Sequence, residues 1–289
     1  MDLKTPVLEL IRKASSDLPP DVEQSLKLAQ AGEEKNTPAW NVFSTILENV
    51  QMARKQSTPI CQDTGSLVFY IDYPEGGLER EYKKAVSAAV VEATNLQYLR
   101  PNAVDPVTAK NSGNNLGVNA PYFHFNQWDK KDIRIRLMLK GGGSENVSTQ
   151  YKLPHSSLGA GRDLIGVRKL VIDAVRNAQG LGCAPGVIGV GIGGTRDISY
   201  TLAKEQLFRK IGQRSESGEL AQLEIKLYED LNKLGIGPMG FGGKTTALEV
   251  FIGSQHRHPA TFYVSISYMC WAFRRKTLHI INGEVSYDD

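Results

Sequence analysis

The strongest fold signal in the chain is the stretch Gly182-Cys183-Ala184-Pro185-Gly186-Val187-Ile188-Gly189-Val190-Gly191-Ile192-Gly193-Gly194. Its centre, residues 187–192, is a short apolar run bounded by turn residues, which is typical of a buried strand. Glycine-rich segments on both sides indicate loops in which the backbone turns sharply or approaches another group closely. The sequence therefore predicts a buried strand that is entered from a loop carrying a cysteine.

Helical and strand patterns mix on both sides of this stretch without regular alternation. This predicts an α/β mixed (α+β) fold, in which mixed sheets are flanked by helices, rather than a barrel or one doubly wound sheet. Residues 1–289 are expected to form one large domain, and the only candidate boundary is the Gly/Ser-rich region 141–161. Helices are predicted at 37–50, 78–99, 162–178, 197–211 and 218–234 (with Ser217 as the cap of the last), and strands at 67–71, 120–125, 133–139, 187–192, 248–252, 261–267 and 277–281.

Composition and charge exclude several classes of protein. The hydrophobic fraction is 41%, which excludes intrinsic disorder. The net charge is +3, from 34 basic and 31 acidic side chains, which is too small to argue for a nucleic-acid partner. No signal peptide is evident, and no apolar stretch approaches the roughly 18 residues that a membrane span needs. We therefore expect a cytoplasmic chain with neither nucleic acid nor membrane as a partner.

Two glycine loops resemble nucleotide-binding motifs. Gly189 to Gly194 fits the spacing GxGxxG, but a Rossmann fingerprint also needs an acidic residue about 20 positions later at the end of a second strand. That window falls in the charged stretch 210–216, which is predicted to be helical. Gly243-Lys244-Thr245 resembles the end of a P-loop, yet Pro238 occupies the position where the motif requires glycine. Neither motif establishes nucleotide binding by itself.

The chain has three cysteines, Cys61, Cys183 and Cys270. Their odd number argues against a disulfide framework, and the absence of any CxxC pair excludes a zinc ribbon or finger. Buried cysteines that act as small apolar residues are one interpretation. Metal or cluster ligation is the other, because Cys61 and Cys183 lie in turn-like loops with polar or glycine-rich neighbours. The spacing alone does not name a metal.

Several motifs together give the chain a family resemblance. It resembles class I fumarate hydratases, and more specifically the α subunit of the two-subunit, iron–sulfur-dependent fumarase and L-tartrate dehydratase group. The resemblance extends from about residue 10 to residue 280. The motifs that carry it are Cys61-Gln62-Asp63-Thr64-Gly65, Lys140-Gly141-Gly142-Gly143-Ser144-Glu145-Asn146, Gly182-Cys183-Ala184-Pro185-Gly186 with Val190-Gly191-Ile192-Gly193-Gly194, Asn232-Lys233-Leu234-Gly235-Ile236-Gly237-Pro238, Gly242-Gly243-Lys244-Thr245-Thr246-Ala247, Arg257-His258-Pro259 and Cys270-Trp271-Ala272.

The resemblance implies a 4Fe-4S cluster with one open iron site, held by Cys61, Cys183 and Cys270. An electron-transfer cluster normally has four thiolate ligands, so a set of three leaves one iron open to act as a Lewis acid. The implied reaction is the reversible hydration of fumarate to L-malate, or the dehydration of a related 2-hydroxy acid. The open iron would stabilise the departing hydroxyl oxygen, and a positioned base would remove the C3 proton.

The resemblance also implies roles for five further residues. Asp63 and His258 are the predicted catalytic residues, as proton-transfer and hydrogen-bonding groups, whereas Gln62, Arg100 and Gly143 are predicted to contact the substrate. Arg100 would pair with a carboxylate, which its guanidinium can bind in a bidentate manner.

Each assignment has a simpler alternative. Asp63 could be a turn residue, Arg100 a solvated helix-end cation, and Gly143 a residue needed only for its backbone shape. His256 could be the functional histidine in place of His258. The pair Arg274-Arg275 is more typical of solvated charges than of a substrate clamp.

The resemblance implies a partner as well. Single-chain members of the family continue for roughly another domain, whereas this sequence stops at Asp289. We therefore expect a separate β subunit in an α2β2 assembly, and a small dicarboxylate as substrate. The stretch 140–146 favours fumarate over tartrate or a methylated diacid. A nucleotide-binding protein that uses Gly189–Gly194 and a non-catalytic scaffold subunit are the alternatives from other functional classes.

Overall fold

The computed structural model describes residues 2–288, which divide into two compact units. Unit 1 comprises Met1–Pro20, Glu48–Gly142 and Ala272–Asp289, and unit 2 comprises Asp21–Leu47 and Gly143–Trp271. One junction, between Gly142 and Gly143, lies in the region 141–161 where the sequence predicted a boundary. That residues 1–289 act as one domain stays a prediction. No helix in the described part of the chain is long and apolar enough to cross a membrane.

Unit 1 is built on a five-stranded mixed sheet in the order β2-β1-β3-β8-β9, in which only β1 and β2 run parallel. Its core forms where one face of the sheet packs against α1 and α4. Ile135 and Leu137 of β3 alternate along the strand, so they lie on this face and are buried. The elements of unit 1 are α1 (Lys4–Ser16), β1 (Ser66–Pro74), α4 (Glu79–Asn95), β2 (Tyr122–Trp128), β3 (Ile133–Lys140), β8 (Arg274–Ile281) and β9 (Glu284–Asp288), and α3 (Pro38–Gln56) is divided between the units.

Unit 2 is built on a four-stranded mixed sheet in the order β4-β7-β5-β6. Strands β5 and β6 run parallel because two helices, α7 and α8, connect them, whereas β7 is antiparallel to both β5 and β4. All seven residues of β5 are buried, as its apolar run predicted. The elements of unit 2 are α2 (Pro20–Gly32), α5 (Gly142–Asn146), β4 (Thr149–Lys152), α6 (Leu164–Ala178), β5 (Gly186–Ile192), α7 (Arg196–Gln206), α8 (Gly218–Asn232), β6 (Ala247–Ser254) and β7 (Tyr263–Met269).

The α+β fold class and the mixed sheets are confirmed. The predicted helix 78–99 is too long, because α4 ends at Asn95. The predicted helix 197–211 is also too long, because α7 ends at Gln206 and the stretch 210–216, predicted to be helical, is a loop. Two buried carboxylates account for this difference. Glu249 accepts a hydrogen bond from the backbone N–H of Gly212 at 3.0 Å, and Glu224 accepts one from that of Ser215 at 3.0 Å. These bonds satisfy backbone groups that a longer helix would have satisfied internally. Ser217 occupies the N-cap of α8 but makes no side-chain cap bond.

Glu224→Ala is expected to lower the free energy of unfolding by about 3–5 kcal/mol, because it would leave a charge and two backbone donors unpaired in the interior. The Glu224 side chain is fully buried and accepts from Arg209 Nη1 at 2.6 Å and from the Ile252 N–H at 2.8 Å. Denaturant unfolding measures the change, with exposed Glu219→Ala on the same helix as control. A loss below about 1 kcal/mol, the ordinary scale of a surface substitution, would contradict this account.

Candidate active site

The Cys61–Gly65 loop follows α3 and leads directly into β1. It is anchored at its start, where the Ile60 N–H donates to the Ser15 carbonyl at 2.9 Å. At its end Gly65 has φ +82°, and a Cβ on Gly65 would lie 2.8 Å from the carbonyl carbon of Leu139. Only glycine fits both the left-handed conformation and this close approach to β3. The loop therefore presents its cysteine and aspartate from a fixed backbone.

The Asp63 carboxylate is held by backbone donors on both oxygens. Oδ1 accepts from the Gly65 N–H at 2.9 Å, and Oδ2 accepts from the Gly142 N–H at 2.7 Å. The first bond is an Asx turn, so the turn interpretation of Asp63 describes part of its role. Each carboxylate oxygen has two lone pairs, so the side chain can still accept a further hydrogen bond or a proton. The second bond also places Asp63 beside the glycine stretch that follows Lys140.

Arg274 anchors this loop from the first position of β8. Its Nη1 donates to the Asp63 backbone carbonyl at 2.7 Å, and the residue is 1% exposed. Its Nε is buried and has no hydrogen-bond partner among residues 2–288. Arg275 is 4% exposed, so the expectation that the two arginines form a solvated pair is wrong. Both are buried at the start of β8, where this strand pairs with the end of β3.

Thr64 connects the loop to Arg100. The Thr64 hydroxyl oxygen accepts from the Arg100 N–H at 3.1 Å and from Asn102 Nδ2 at 3.0 Å. The Arg100 side chain is exposed and makes no hydrogen bond or ion pair with another described residue, and Gln62 is also exposed. Unit 1 thus brings Cys61, Gln62, Asp63 and Arg100 to one place and leaves an amide and a guanidinium available to a ligand.

Cys183 and Cys270 are brought together in unit 2 by a hydrogen bond between their loops. The Trp271 N–H donates to the Cys183 carbonyl at 3.1 Å. Cys183 has φ 55°, in the left-handed region that ends the 3₁₀ turn Gln179–Gly182. None of the three cysteines forms a disulfide. The two loops therefore place two thiols at the end of the sheet where β5 begins and β7 ends.

Tyr268 lies against both of these thiols. A Cβ on Gly182 or on Gly186 would lie 2.6 Å or 2.5 Å from its ring, so the two glycines make room for the tyrosine. Burial raises the pKa of Tyr268, and the negative charges of Cys270 and Cys183 raise it further. The glycines around Cys183 therefore serve packing as well as the turn.

Gly143 belongs to the same part of unit 2. A Cβ at this position would lie 3.2 Å from the Leu181 carbonyl oxygen, two residues before Cys183. A larger residue would push against the cysteine loop, which supports a backbone role for Gly143. Among residues 2–288, no three His, Cys, Asp or Glu side chains are grouped so that they could hold a metal ion.

His258 is not brought to these cysteines within unit 2. It lies in the exposed connection between β6 and β7, whereas Cys270 follows the other end of β7. The strand Tyr263–Met269 separates them, which at about 3.3 Å per residue corresponds to roughly 20 Å. His258 instead lines a cavity of about 460 Å³ together with His256, Arg196, Arg257, Thr195 and Tyr263.

The two nucleotide-like motifs have structural roles. Cβ atoms on Gly189 and Gly191 would lie 2.1 Å from the carbonyl oxygens of Ala203 and Ser199, so these glycines allow α7 to pack directly on β5. The strand parallel to β5, β6, ends at Ser254 and is followed by Gln255, so no acidic residue lies at its end. Lys244 donates from Nζ to the Gly32 carbonyl at 2.8 Å. Neither arrangement favours phosphate binding.

Comparison with known proteins identifies the family. The sequence model described as Fumarate hydratase (Fumerase) matches residues 4–279, which is nearly the whole chain. The chain belongs to the fumarate hydratase family. Members of this family, which includes tartrate dehydratases, are hydro-lyases.

Three relatives illustrate the range within the family. The chain is 49% identical to a "Putative fumarate hydratase class I" of Geobacillus stearothermophilus, over 94% of this chain and 54% of the relative. It is 38% identical to a "Putative L(+)-tartrate dehydratase subunit alpha" of Methanocaldococcus jannaschii, over 95% of this chain and 96% of the relative. It is 32% identical to the L(+)-tartrate dehydratase subunit alpha of Escherichia coli K12, over 95% of this chain and 89% of the relative. The chain thus spans about half the length of the Geobacillus protein.

Sequence reasoning missed two residues that shape the candidate site. The sequence predicts a solvated Arg274, three residues before the strand predicted at 277–281, whereas the structure buries it at the start of β8. Tyr268 was not singled out, although its place two residues before Cys270 was visible. Neither has a motif of its own, because each acts on the site through long-range packing.

Proposed function

We propose that this chain supplies the cluster-binding part of a hydro-lyase that reversibly hydrates fumarate to L-malate. In this proposal Cys61, Cys183 and Cys270 hold a 4Fe-4S cluster with one open iron site. When bound, such a cluster supplies a Lewis acid that activates the hydroxyl leaving group. The observation that supports the proposal is that the loops of Cys183 and Cys270 are joined by a hydrogen bond, from the Trp271 N–H to the Cys183 carbonyl oxygen at 3.1 Å.

The chemistry of the donor set fits the cluster. All three cysteines are thiols, and two of them share the protonated phenol of Tyr268 as a neighbour. A protonated phenol beside two thiolates would stabilise their charge without competing as a ligand. Cys61 would supply the third ligand from the loop that Arg274 and Gly65 fix.

The residues of the Cys61–Gly65 loop have distinct uses in this proposal. Arg100 would bind a substrate carboxylate in a bidentate manner, since its guanidinium is exposed and otherwise unused. Gln62 would donate a hydrogen bond from its exposed amide. Asp63 would hold or move a proton, its carboxylate oriented by the N–H groups of Gly65 and Gly142. Gly143 would allow the backbone to approach the substrate closely. His258 lies about 20 Å from Cys270 along β7, so we assign it no role in a reaction step at the cysteines of its own chain.

Fumarate is proposed over tartrate on sequence similarity. The identity to the fumarate hydratase relative is 49%, against 38% and 32% to the two tartrate dehydratase subunits. L-Tartrate or another hydroxy-diacid is the second candidate, because the chain spans nearly the full length of those subunits. Direct comparison of the two substrates with one enzyme preparation decides between them.

A β subunit is proposed as the partner, in an α2β2 assembly. Two relatives of matching length are named as α subunits. A partner would supply further cationic groups for a dicarboxylate. The chain alone is therefore expected to bind the cluster but to turn over poorly, and activity is expected after co-expression with the β subunit.

The proposal is tested by iron and acid-labile sulfide analysis after anaerobic purification, followed by a fumarate hydration assay with the co-expressed β subunit. We expect about four iron and four sulfide per chain. Fumarate is expected to be hydrated at least tenfold more efficiently than L-tartrate is dehydrated, which corresponds to about 1.4 kcal/mol in transition-state binding.

Negligible iron after anaerobic reconstitution would overturn the cluster assignment. Full iron with turnover of tartrate alone would overturn the choice of substrate but not that of the reaction class. Retention on a nucleotide resin without iron would favour the nucleotide-binding alternative.

A further inference from the structure

The segment His258–Thr261 forms a tight turn whose first and last residues line the cavity in unit 2. The Thr261 N–H donates to the His258 carbonyl at 3.0 Å, which is the closing bond of a β-turn. Pro259 occupies the second position of the turn, where its fixed φ is favourable. The first residue of the turn is therefore held in place relative to the other three.

The imidazole of His258 is fixed by the same turn. The Ala260 N–H donates to His258 Nδ1 at 3.1 Å, in the way that an Asx side chain accepts from the backbone two residues later. Because Nδ1 accepts this bond, the ring proton of the neutral imidazole is on Nε2. His258 is thereby oriented as a hydrogen-bond donor, whereas His256 has no side-chain hydrogen bond to a described residue.

Two arginines bind the carbonyl groups of this turn from outside. Arg257 Nη1 lies 3.2 Å from the His258 carbonyl oxygen, 3.0 Å from that of Pro259 and 3.0 Å from that of Thr261. Arg162 donates to the carbonyl oxygens of Pro259 and Ala260 at 3.3 Å and 3.0 Å. The Arg257 guanidinium also stacks on the Phe262 ring at 4.6 Å, which fixes its position. Five carbonyl contacts therefore hold a segment of four residues.

We propose that Arg257 and Arg162 are positioning residues for His258. They keep the Ala260 N–H on Nδ1, and the ring consequently presents Nε2–H to an anionic ligand such as a carboxylate. Without them, the turn would fluctuate and the imidazole would exchange between tautomers and rotamers. The inference builds on the proposed function only in taking a carboxylate as the ligand, because the ring geometry is a property of the chain itself.

The test is a scalar coupling across the N–H···N hydrogen bond between the Ala260 amide nitrogen and His258 Nδ1, recorded by NMR on the isolated, isotopically labelled chain. We expect the coupling in the parent chain, together with the Nε2–H tautomer of His258. The double variant Arg162→Gln/Arg257→Gln is expected to lose the coupling. His258→Gln identifies the histidine signals, and Arg176→Gln, at an exposed arginine of the same unit, serves as the matched control and keeps the coupling.

Absence of the coupling in the parent, or its persistence in the double variant, would overturn the proposal. Arg257→Lys provides a second measurement, because an ammonium group can replace part of the carbonyl contacts, and it is expected to retain the coupling at least partly. Complete loss of the coupling in Arg257→Lys with retention in Arg257→Gln would also contradict it. If the chain shows this pattern but has no hydratase activity with the co-expressed β subunit, the proposed function is refuted and the positioning role stays intact.

Discussion

Cys183→Ser and Cys270→Ser are each expected to abolish the iron content and with it the hydratase activity. A hydroxyl is a far poorer ligand for iron than a thiolate and would remain protonated at neutral pH. Iron binding is expected to depend most strongly on these two cysteines, because their loops are joined by the hydrogen bond from the Trp271 N–H to the Cys183 carbonyl at 3.1 Å. Cys61→Ser is expected to lose activity too, with some iron retained by the other two thiols.

The measurement is iron and sulfide content after anaerobic reconstitution, together with the visible absorption of the cluster and turnover with the β subunit. Met269→Leu, at a buried position next to Cys270, is the matched control and should keep both iron and activity, since the substitution conserves volume. Equal iron in the parent and in all three serine variants would show that the cysteines do not bind the iron.

The elements could be predicted from sequence where local pattern decides them. The alternation Ile133-Arg134-Ile135-Arg136 identifies β3, because one face of the strand is apolar. The end of α7 could not be predicted, since the charged loop after it is fixed by Glu224 and Glu249 from distant parts of the chain. A helix that is predicted from the local sequence alone therefore extends beyond the true end of α7.

The site shows the same division between local and distant information. Cys61, Asp63 and Arg100 are visible in sequence, and the structure brings them together through Thr64 and Gly65. The remoteness of His258 from the cysteines of unit 2 depends on which end of β7 each residue flanks. Strand direction is a property of the sheet rather than of a motif, so a motif match could name His258 but not its location.

Arg274→Met is expected to weaken function without weakening the fold. Arg274 is 1% exposed, yet its charge has no carboxylate partner among the described residues, and its Nε lacks a hydrogen bond. Removal of an uncompensated buried charge relieves a desolvation cost, whereas loss of the bond to the Asp63 carbonyl costs about 1 kcal/mol. We therefore expect the free energy of unfolding to stay unchanged or to rise by about 1–2 kcal/mol.

Function should respond in the opposite direction, because the Asp63 loop loses its anchor from β8. A displacement of the loop by about 1 Å is enough to lower kcat/KM roughly 100-fold. Amide hydrogen exchange at residues 62–66 would report the loosening independently of activity, and exchange there should be faster in the variant. Denaturant unfolding supplies the stability, and Arg80→Met, at an exposed position of α4, is the control in which nothing changes.

A loss of stability larger than about 1 kcal/mol in Arg274→Met would show instead that the guanidinium is compensated in the folded chain and has a structural role. The combination of a stable fold, faster exchange in the loop and low activity would have a different meaning. It would show that the chain keeps a buried cation beside its cysteine loop at a cost in stability, as expected of a charge that acts on an anionic ligand. Rescue by Arg274→Lys should be partial, because an ammonium can reach one carbonyl but cannot reproduce the planar donor set of the guanidinium.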